Sequence, residues 1–459
     1  MRILILGAGQ VGESMAEELA SEENDITVVD QDAHRLAHLA DRIDVRTVVG
    51  NAALPSVLRR AGIEDAEMLV AVTQSDQTNL VACKIAKTLF NVSTRVARLR
   101  GIDFVKDQRL LADDMFSVNH AMCPEQDVTD YIARLIEFPE ALQVLEFADG
   151  LLTLVCVRAY DGGLLVHKPI KSMREHLPAG VEARIVAIFR EHQSVVPTGA
   201  TVIVPGDEVF LLAPTSHIRL VLRELRRMLK PVRRIMIAGG GNIGARVAEV
   251  LQRDHEVKVL EIDPKRAEAI TPRLDASLVL CAETTDENLL IQENIDDMDM
   301  FIALTNDDED NIMAASLAKR LGCRRVVALI NRRAYADMVQ GGPIDIGVSP
   351  AQISIGALLT FVRQADVARV HRLRRGAAEA LELVAHGNGK TSNVVGRRIG
   401  QLKDIKGARI GAIVRGGAQV LIPHGDTTIE EGDHVVVFCS RKAQVRQVID
   451  LFKVKFGFF

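Results

Sequence analysis

The same ordered set of landmarks occurs twice along this 459-residue chain, and no single-core fold accommodates that. Ile5-Leu6-Gly7-Ala8-Gly9-Gln10-Val11-Gly12 returns as Ile237-Ala238-Gly239-Gly240-Gly241-Asn242-Ile243-Gly244. Val28-Val29-Asp30-Gln31-Asp32 returns as Val259-Leu260-Glu261-Ile262-Asp263, and Thr73-x-x-Asp76-x-x-Asn79 as Thr305-x-x-Asp308-x-x-Asn311. Pro124 is echoed by Pro350. The repetition then continues into a different kind of sequence. Ala183-Arg184-Ile185 matches Ala408-Arg409-Ile410, Pro197 matches Pro423, and Pro205-Gly206-Asp207 matches Glu431-Gly432-Asp433. The repeating unit is therefore a larger domain followed by a smaller one. The expected divisions are 1–136, 139–225, 232–364 and 368–453. The joint falls near Met228–Val232, where Pro231 ends a helix-like stretch.

Hydrophobic period sets the class of each domain. Arg2–Leu6 reads as an apolar strand, Val11–Ala20 as a helix, and Ile26–Val29, Glu67–Val72 and Thr94–Ala97 as further strands, with a helix over Asn79–Leu89. Strand–helix alternation at this spacing requires parallel crossovers, hence a Rossmann-like doubly wound α/β sheet. The smaller domains read as strands at Leu151–Arg158, Ala183–Arg190 and Glu208–Leu212 joined by Gly, Pro and Asp turns, closed by a helix over Ile218–Leu229. That is a small α+β module. The expected architecture is thus two tandem Rossmann-like parallel-sheet domains, each followed by such a module.

Composition excludes several functions. Apolar residues are 48% and charged residues 25%, an ordinary globular balance. Aromatics are 4%, with no Trp and three Tyr, which disfavours a base-stacking surface. The net charge of −5 gives no general affinity for phosphate backbones, so no nucleic-acid partner is expected. No apolar run is long enough to span a bilayer, and Met1–Gly7 lacks a cleavage site, so a cytosolic chain beginning at Met1 is expected. The six cysteines (83, 123, 156, 281, 323, 439) form no CxxC pair and read as small buried apolar residues.

A lone GxGxxG is a weak signal. Here Gly7, Gly9 and Gly12 follow a strand, open a helix and meet an acid, Asp30, at the end of the next strand. In that context Gly7 makes the tight turn, Gly9 admits a pyrophosphate, and Gly12 lets helix and strand pack closely. Ala8, Gln10 and Val11 complete the turn, and the helix N-terminus offers unpaired N–H groups. Asp30 accepts from ribose hydroxyls and repels a 2′-phosphate, favouring NAD(H) or ATP/ADP over NADP. Thr73 and Asp76 follow an inner strand, where ligands of such sheets lie, and Asp76 is equally placed to cap the next helix. Arg98, at an inner strand end, is a candidate phosphate clamp or else half of a surface ion pair. Glu125 is a candidate nucleotide or cation contact or, the plainer reading, a solvated helix-start carboxylate. The second half keeps Gly239, Gly241, Asn242, Ile243, Gly244 and Glu261. Opposite Arg98, however, it has an aliphatic residue near Leu329–Ile330, and opposite Glu125 it has Ala351.

Other clusters carry less. His34 and His38 share a helix face without a third ligand. Asp307 to Asp310 reads as a helix-start acidic cluster, and the basic stretch Arg223, Arg226, Arg227, Lys230, Arg233, Arg234 as a solvated helix end. No metal site and no catalytic constellation is expected. What the two small modules share is Arg190/Arg415, Pro197/Pro423 and Gly206/Gly432, with no proton-transfer group placed alike in both. The pattern suits a ligand sensor whose output is shape. The competing readings are an NAD-dependent oxidoreductase with duplicated Rossmann domains and a nucleotide-responsive DNA-binding regulator.

In order, Gly7-x-Gly9-x-x-Gly12, Asp30, Gly50-Asn51-Ala52, Thr73-x-x-Asp76-x-x-Asn79, Arg98 and Pro124-Glu125, with the small module after them, resemble the RCK (or KTN) domain that regulates potassium conductance. Two such units cover nearly the whole chain. The resemblance implies a regulatory, non-catalytic subunit on the inner face of the cell membrane, gating a membrane-embedded potassium transporter through an RCK ring. It implies NAD(H) or ATP/ADP as ligand and a homo-oligomer, a tetramer if the ring holds eight units. By resemblance, Asn51 and Ala52 form the adenine-side loop, Arg98 holds phosphate, and Glu125 lies near a γ-phosphate or divalent cation. Asn51 departs from a position often acidic in relatives.

Overall fold

The computed structural model describes the chain except residues 23, 192, 227–229, 333, 336–341, 364–365, 403–406 and 455–459. The first parallel sheet is built from β1 (Arg2–Leu6), β2 (Asp25–Asp30), β3 (Arg46–Val49), β4 (Met68–Ala71), β5 (Thr94–Arg98) and β6 (His120–Met122), in the order β3-β2-β1-β4-β5-β6. Leu4 of β1 pairs with Thr27 on one side and Leu69 on the other. β4 is buried throughout and β1 is buried after Arg2, as central strands covered by helices on both faces must be. The strand order reverses between β1 and β4, opening a crevice at the carboxyl ends of these strands, where ligands of this topology lie. Leu6, Val29, Ala71, Leu80 and Cys83 share one core.

The second parallel sheet repeats this order with β12 (Arg234–Ala238), β13 (Glu256–Glu261), β14 (Leu278–Cys281), β15 (Met300–Ala303), β16 (Val326–Leu329) and β17 (Ile346–Val348). Ala71 pairs with Ala97, and Ala303 with Ala328, so Arg98 and Leu329 are register equivalents. The helix Pro350–Val362 that follows β17 packs with the helix Gln10–Ala20, and Phe361 stacks on His120 at 4.5 Å. Contacts group this helix with residues 1–128.

The two small modules are five-stranded antiparallel sheets of the same order. One comprises β7 (Ala141–Phe147), β8 (Leu152–Arg158), β9 (Arg184–Arg190), β10 (Gln193–Val195) and β11 (Glu208–Pro214); the other β18 (Val367–Leu373), β19 (Ala378–Val384), β20 (Ala408–Arg415), β21 (Gln419–Leu421) and β22 (His434–Cys439). They share one core, in which Phe147, Leu154, Phe210 and Leu212 meet Leu373, Ala412, Val414 and Phe438. A Cβ on Gly411 would lie 2.7 Å from Leu212 Cδ2, so the sheets meet too closely for a side chain there. Arg374 stacks over Phe189 at 4.5 Å and pairs with Glu208 at 2.9 Å. Burial pushes His371 down to about 4, leaving it neutral at pH 7, so its Nε2–H donates to the Glu146 carbonyl at 2.8 Å.

The matched residues of the modules have a structural reason. Asp207, wholly buried, accepts from Arg190 Nε (2.8 Å), Arg190 Nη2 (2.9 Å) and the Val204 amide (3.0 Å). Asp433 does the same with Arg415 at 2.9 and 2.8 Å and with the Glu430 amide at 2.8 Å. Gly206 and Gly432, at φ +89° and +80°, turn the chain into these aspartates. Asp207→Ala is expected to cost about 2–4 kcal/mol, because it strands the Val204 amide and removes a bidentate pair. The thermal unfolding midpoint measures this, and an unshifted midpoint would rule out the brace.

Two sequence readings need amendment. Cys281 is exposed whereas the other five cysteines are buried. The helix expected over Ile218–Leu229 is helical only over Ile218–Leu222, and Leu229, with Arg227 and Met228, lies outside the described residues. The basic stretch is also not a free patch: Arg226 donates to the Glu140 carbonyl and stacks on Tyr160 at 4.8 Å, and Arg234 pairs with Asp297.

Candidate functional site

The three glycines after β1 serve different ends. Gly7 has φ +109°, and a Cβ there would lie 3.0 Å from the Thr73 nitrogen and the Val72 carbonyl. At Gly12 a Cβ would fall 1.9 Å from the Gly7 oxygen, so helix and turn touch backbone to backbone. Gly9 is different. Its φ of −76° suits any residue, and an added Cβ would meet only Arg35 Nη1, at 3.9 Å. Protein packing does not demand glycine at this position. The open face it leaves lies at the amino end of the helix Gln10–Ala20, whose first turn, including Gln10 and Val11, has no intrahelical acceptors for its N–H groups.

Asp30 is aimed across this turn. Its Oδ2 accepts from the Ala8 amide at 2.6 Å and its Oδ1 from the Asp32 amide at 2.9 Å. Each oxygen keeps further lone-pair capacity for a hydroxyl donor. Asn51 is exposed, and its side-chain oxygen accepts from the Ala53 amide at 2.9 Å, holding the loop that buries Ala52.

Arg98 and Glu125, treated separately in the sequence, come together. Arg98 Nη2 donates to Glu125 Oε1 at 2.9 Å, and Arg100 Nε stands 3.6 Å from the same oxygen. The Glu125 side chain is 8% exposed and that of Arg98 13%, so neither the solvated carboxylate nor the surface ion pair describes them. Sequence reading missed this because β6 lies beside β5 in the sheet, which brings Pro124–Glu137 alongside Arg98 across 27 residues of chain. Arg98 Nε is buried and has no hydrogen-bond partner among the described residues.

Thr73 and Asp76 hold the loop. Thr73 donates its hydroxyl to Asn79 Oδ1 at 2.7 Å, and Asn79 Nδ2 donates to the Arg98 carbonyl at 2.9 Å, fixing the end of β5. Asp76 does not cap its helix: Ser75 does, accepting from the Thr78 amide at 3.1 Å. Asp76 instead accepts from the amides of Arg100 (3.0 Å) and Gly101 (2.8 Å), so it positions the strand end that carries Arg98 and Arg100.

The second half has the same frame with altered chemistry. Gly239 has φ +104°, and a Cβ on Gly244 would fall 1.9 Å from the Gly239 oxygen, while one on Gly241 would meet nothing within 4 Å. Asn242 and Ile243 open the helix Asn242–Leu251. Glu261 is 2% exposed and accepts from the Gly240 amide at 2.8 Å and the Asp263 amide at 2.9 Å. It is also approached by Arg266 Nη1, 3.3 and 3.4 Å from its two oxygens. Leu329 and Ala351 stand where the first half has Arg98 and Glu125, removing the cationic clamp. Sequence reading overlooked Arg35 and Arg266, although Asp32-x-x-Arg35 and Asp263-x-x-Arg266 extend a repeated landmark by three residues.

The first half therefore presents an open glycine face, a side-chain oxygen pair that can accept from a diol, helix-start N–H donors, and a partly buried guanidinium with an unused donor. That donor set suits a ribose joined to a phosphate chain.

Comparison with known proteins agrees with this frame. The TrkA-N domain family matches residues 3–118 and 235–350, and the TrkA-C domain family residues 154–226 and 389–453. A Trk system potassium uptake protein TrkA from Halomonas elongata is 51% identical over 459 residues, covering 100% of both chains. One from Vibrio alginolyticus is 52% identical over 454 residues, covering 99% of both. Among solved structures, the GsuK RCK domain has a TM-score of 0.62 at 19% identity, covering 98% of this chain and 94% of its own. The structure titled GsuK channel bound to NAD has a TM-score of 0.61 at 20% identity, covering 98% of this chain and 78% of its own. At these identities the likeness is one of fold.

Proposed function

Since the chain belongs to the TrkA family, with TrkA-N and TrkA-C domains in tandem duplicate, we propose that it is the nucleotide-binding regulatory subunit of a Trk-type potassium uptake system. It binds an adenine nucleotide, NAD(H) or ATP/ADP, over the glycine turn of its first half. The bound nucleotide favours one arrangement of an RCK ring over another, and that difference gates a membrane-embedded potassium transporter. The protein sits at the inner face of the cell membrane as a homo-oligomer. No helix among the described residues is long and apolar enough to cross a membrane. No bond is made or broken in the ligand.

The observation that carries the reading is the open face at Gly9, a glycine that neither its φ nor its packing requires. Pyrophosphate spans this face, Asp30 takes the ribose hydroxyls, the loop at Asn51 and Ala52 borders the adenine, and Arg98 takes phosphate after exchanging or sharing Glu125. The full-length relatives, named as potassium uptake proteins, and the NAD bound to the GsuK channel support the choice of partner and ligand. The second half, lacking the guanidinium of Arg98, holds phosphate more weakly.

Deleting the protein from its cell is expected to slow potassium uptake at limiting external potassium, with recovery on re-expression of the intact chain. Normal uptake in the deletion strain would contradict the assignment.

A further inference from the structure

The two halves place one equivalent arginine differently. Arg35 and Arg266 each follow the ribose acid by five residues, and each sits one turn beyond a capping aspartate, Asp32 or Asp263. In the first half the guanidinium lies beside the glycine turn, its Nη1 3.9 Å from the position of a Gly9 Cβ. It is paired only loosely with Asp32, at 3.4 Å, and no contact with Asp30 is made within hydrogen-bonding or ion-pair distance. In the second half a Cβ on Gly241 would meet nothing within 4 Å among the described residues. The guanidinium has been drawn onto Glu261 instead, straddling both carboxylate oxygens at 3.3 and 3.4 Å, with Asp263 at 3.9 Å.

Glu261 is buried and Asp30 only half-buried, and the longer glutamate reaches the Arg266 side of its own helix start. A buried carboxylate attracts a neighbouring cation more strongly than a wetter one. The same sequence position is thereby free to meet a phosphate in one half and committed to neutralising the ribose acid in the other.

Resting on the nucleotide reading above, we propose that this arginine sets the difference in nucleotide preference between the halves. Arg35 is an additional phosphate contact of the first site. Arg266 is an internal competitor of the second, because a ribose diol entering there displaces it from Glu261. The first site consequently gains affinity from each added phosphate more than the second does, and the second prefers ligands that keep Arg266 in place.

The test uses the full-length chain with adenosine and ADP as probes, titrated calorimetrically. Gly241→Val isolates the first site and Gly9→Val the second. In the first background, Arg35→Ala is expected to weaken ADP by about three- to tenfold and leave adenosine unchanged, with Arg35→Lys restoring most of the loss. In the second background, Arg266→Ala is expected to tighten adenosine by about two- to fivefold, since an exposed partner is removed from the carboxylate the ribose needs. A merely structural arginine would alter both probes alike. Equal effects on ADP and adenosine at Arg35, or an unchanged or weakened adenosine affinity at Arg266, overturns the proposal while leaving nucleotide binding intact. A wild-type chain that binds neither adenosine nor ADP overturns this proposal, and one that also binds neither NADH nor ATP overturns the nucleotide reading with it.

Discussion

Gly9→Val is expected to abolish nucleotide binding to the first half while leaving the fold standing. The substituted residue keeps an allowed φ of −76°, and its Cβ has open space, with Arg35 Nη1 at 3.9 Å as the nearest neighbour. The two γ-methyl groups then fill the face a pyrophosphate needs, and the phosphate can no longer reach the helix-start amides. Affinity should fall by at least about a hundredfold, roughly 2.8 kcal/mol. The thermal midpoint should move by only a few degrees, because Gly9 is the N-cap of this helix and valine there costs about 1 kcal/mol. Calorimetry and thermal unfolding on the same sample separate the two effects. Unchanged affinity would mean that the nucleotide lies elsewhere.

Gly12→Ala should fail in the opposite way. One methyl group would sit 1.9 Å from the Gly7 oxygen and 2.9 Å from the Gly7 carbon, both backbone atoms that cannot swing aside. The helix Gln10–Ala20 must lift away from β1, disturbing the packing around the fully buried Met15 and Ala16. The expected loss is about 3 kcal/mol or more, at the upper end of overpacking costs, seen as early melting of the first half with or without ligand. A midpoint within a degree of the parent would show that the turn has slack the geometry does not reveal. The glycines three residues apart thus separate a ligand's requirement from the fold's.

Much of this was readable from the residues. The duplication was legible because the same landmarks recur in order, and β1 emerged with the bounds expected of it, Arg2–Leu6. The glycine turn and Asp30 were legible because the motif's context is local: strand, turn, helix, strand, acid. What the sequence concealed lies across the sheet. Arg98 and Glu125 are 27 residues apart and meet only because β5 and β6 are neighbours. The true duty of Asp76 depends on the chain returning at Arg100 and Gly101, while local pattern pointed to a helix cap that Ser75 already provides. The packing of Pro350–Val362 with Gln10–Ala20 has no local signature, since an apolar helix does not state which surface it will cover. The divergence of Arg35 from Arg266 was hidden for a related reason: identical spacing was visible, but the one-carbon difference between Asp30 and Glu261 shows its effect only through burial.

The central claim is that an adenosine phosphate docks on the first glycine turn and is read out without being consumed. The most direct measurement is calorimetric titration of the intact chain with NADH and with ATP, followed by chromatographic recovery of the ligand. The account predicts saturable binding that Gly9→Val removes from the first half, with the nucleotide recovered chemically unchanged after prolonged incubation. Absence of binding to the first half, or steady conversion of the nucleotide to product, would contradict it.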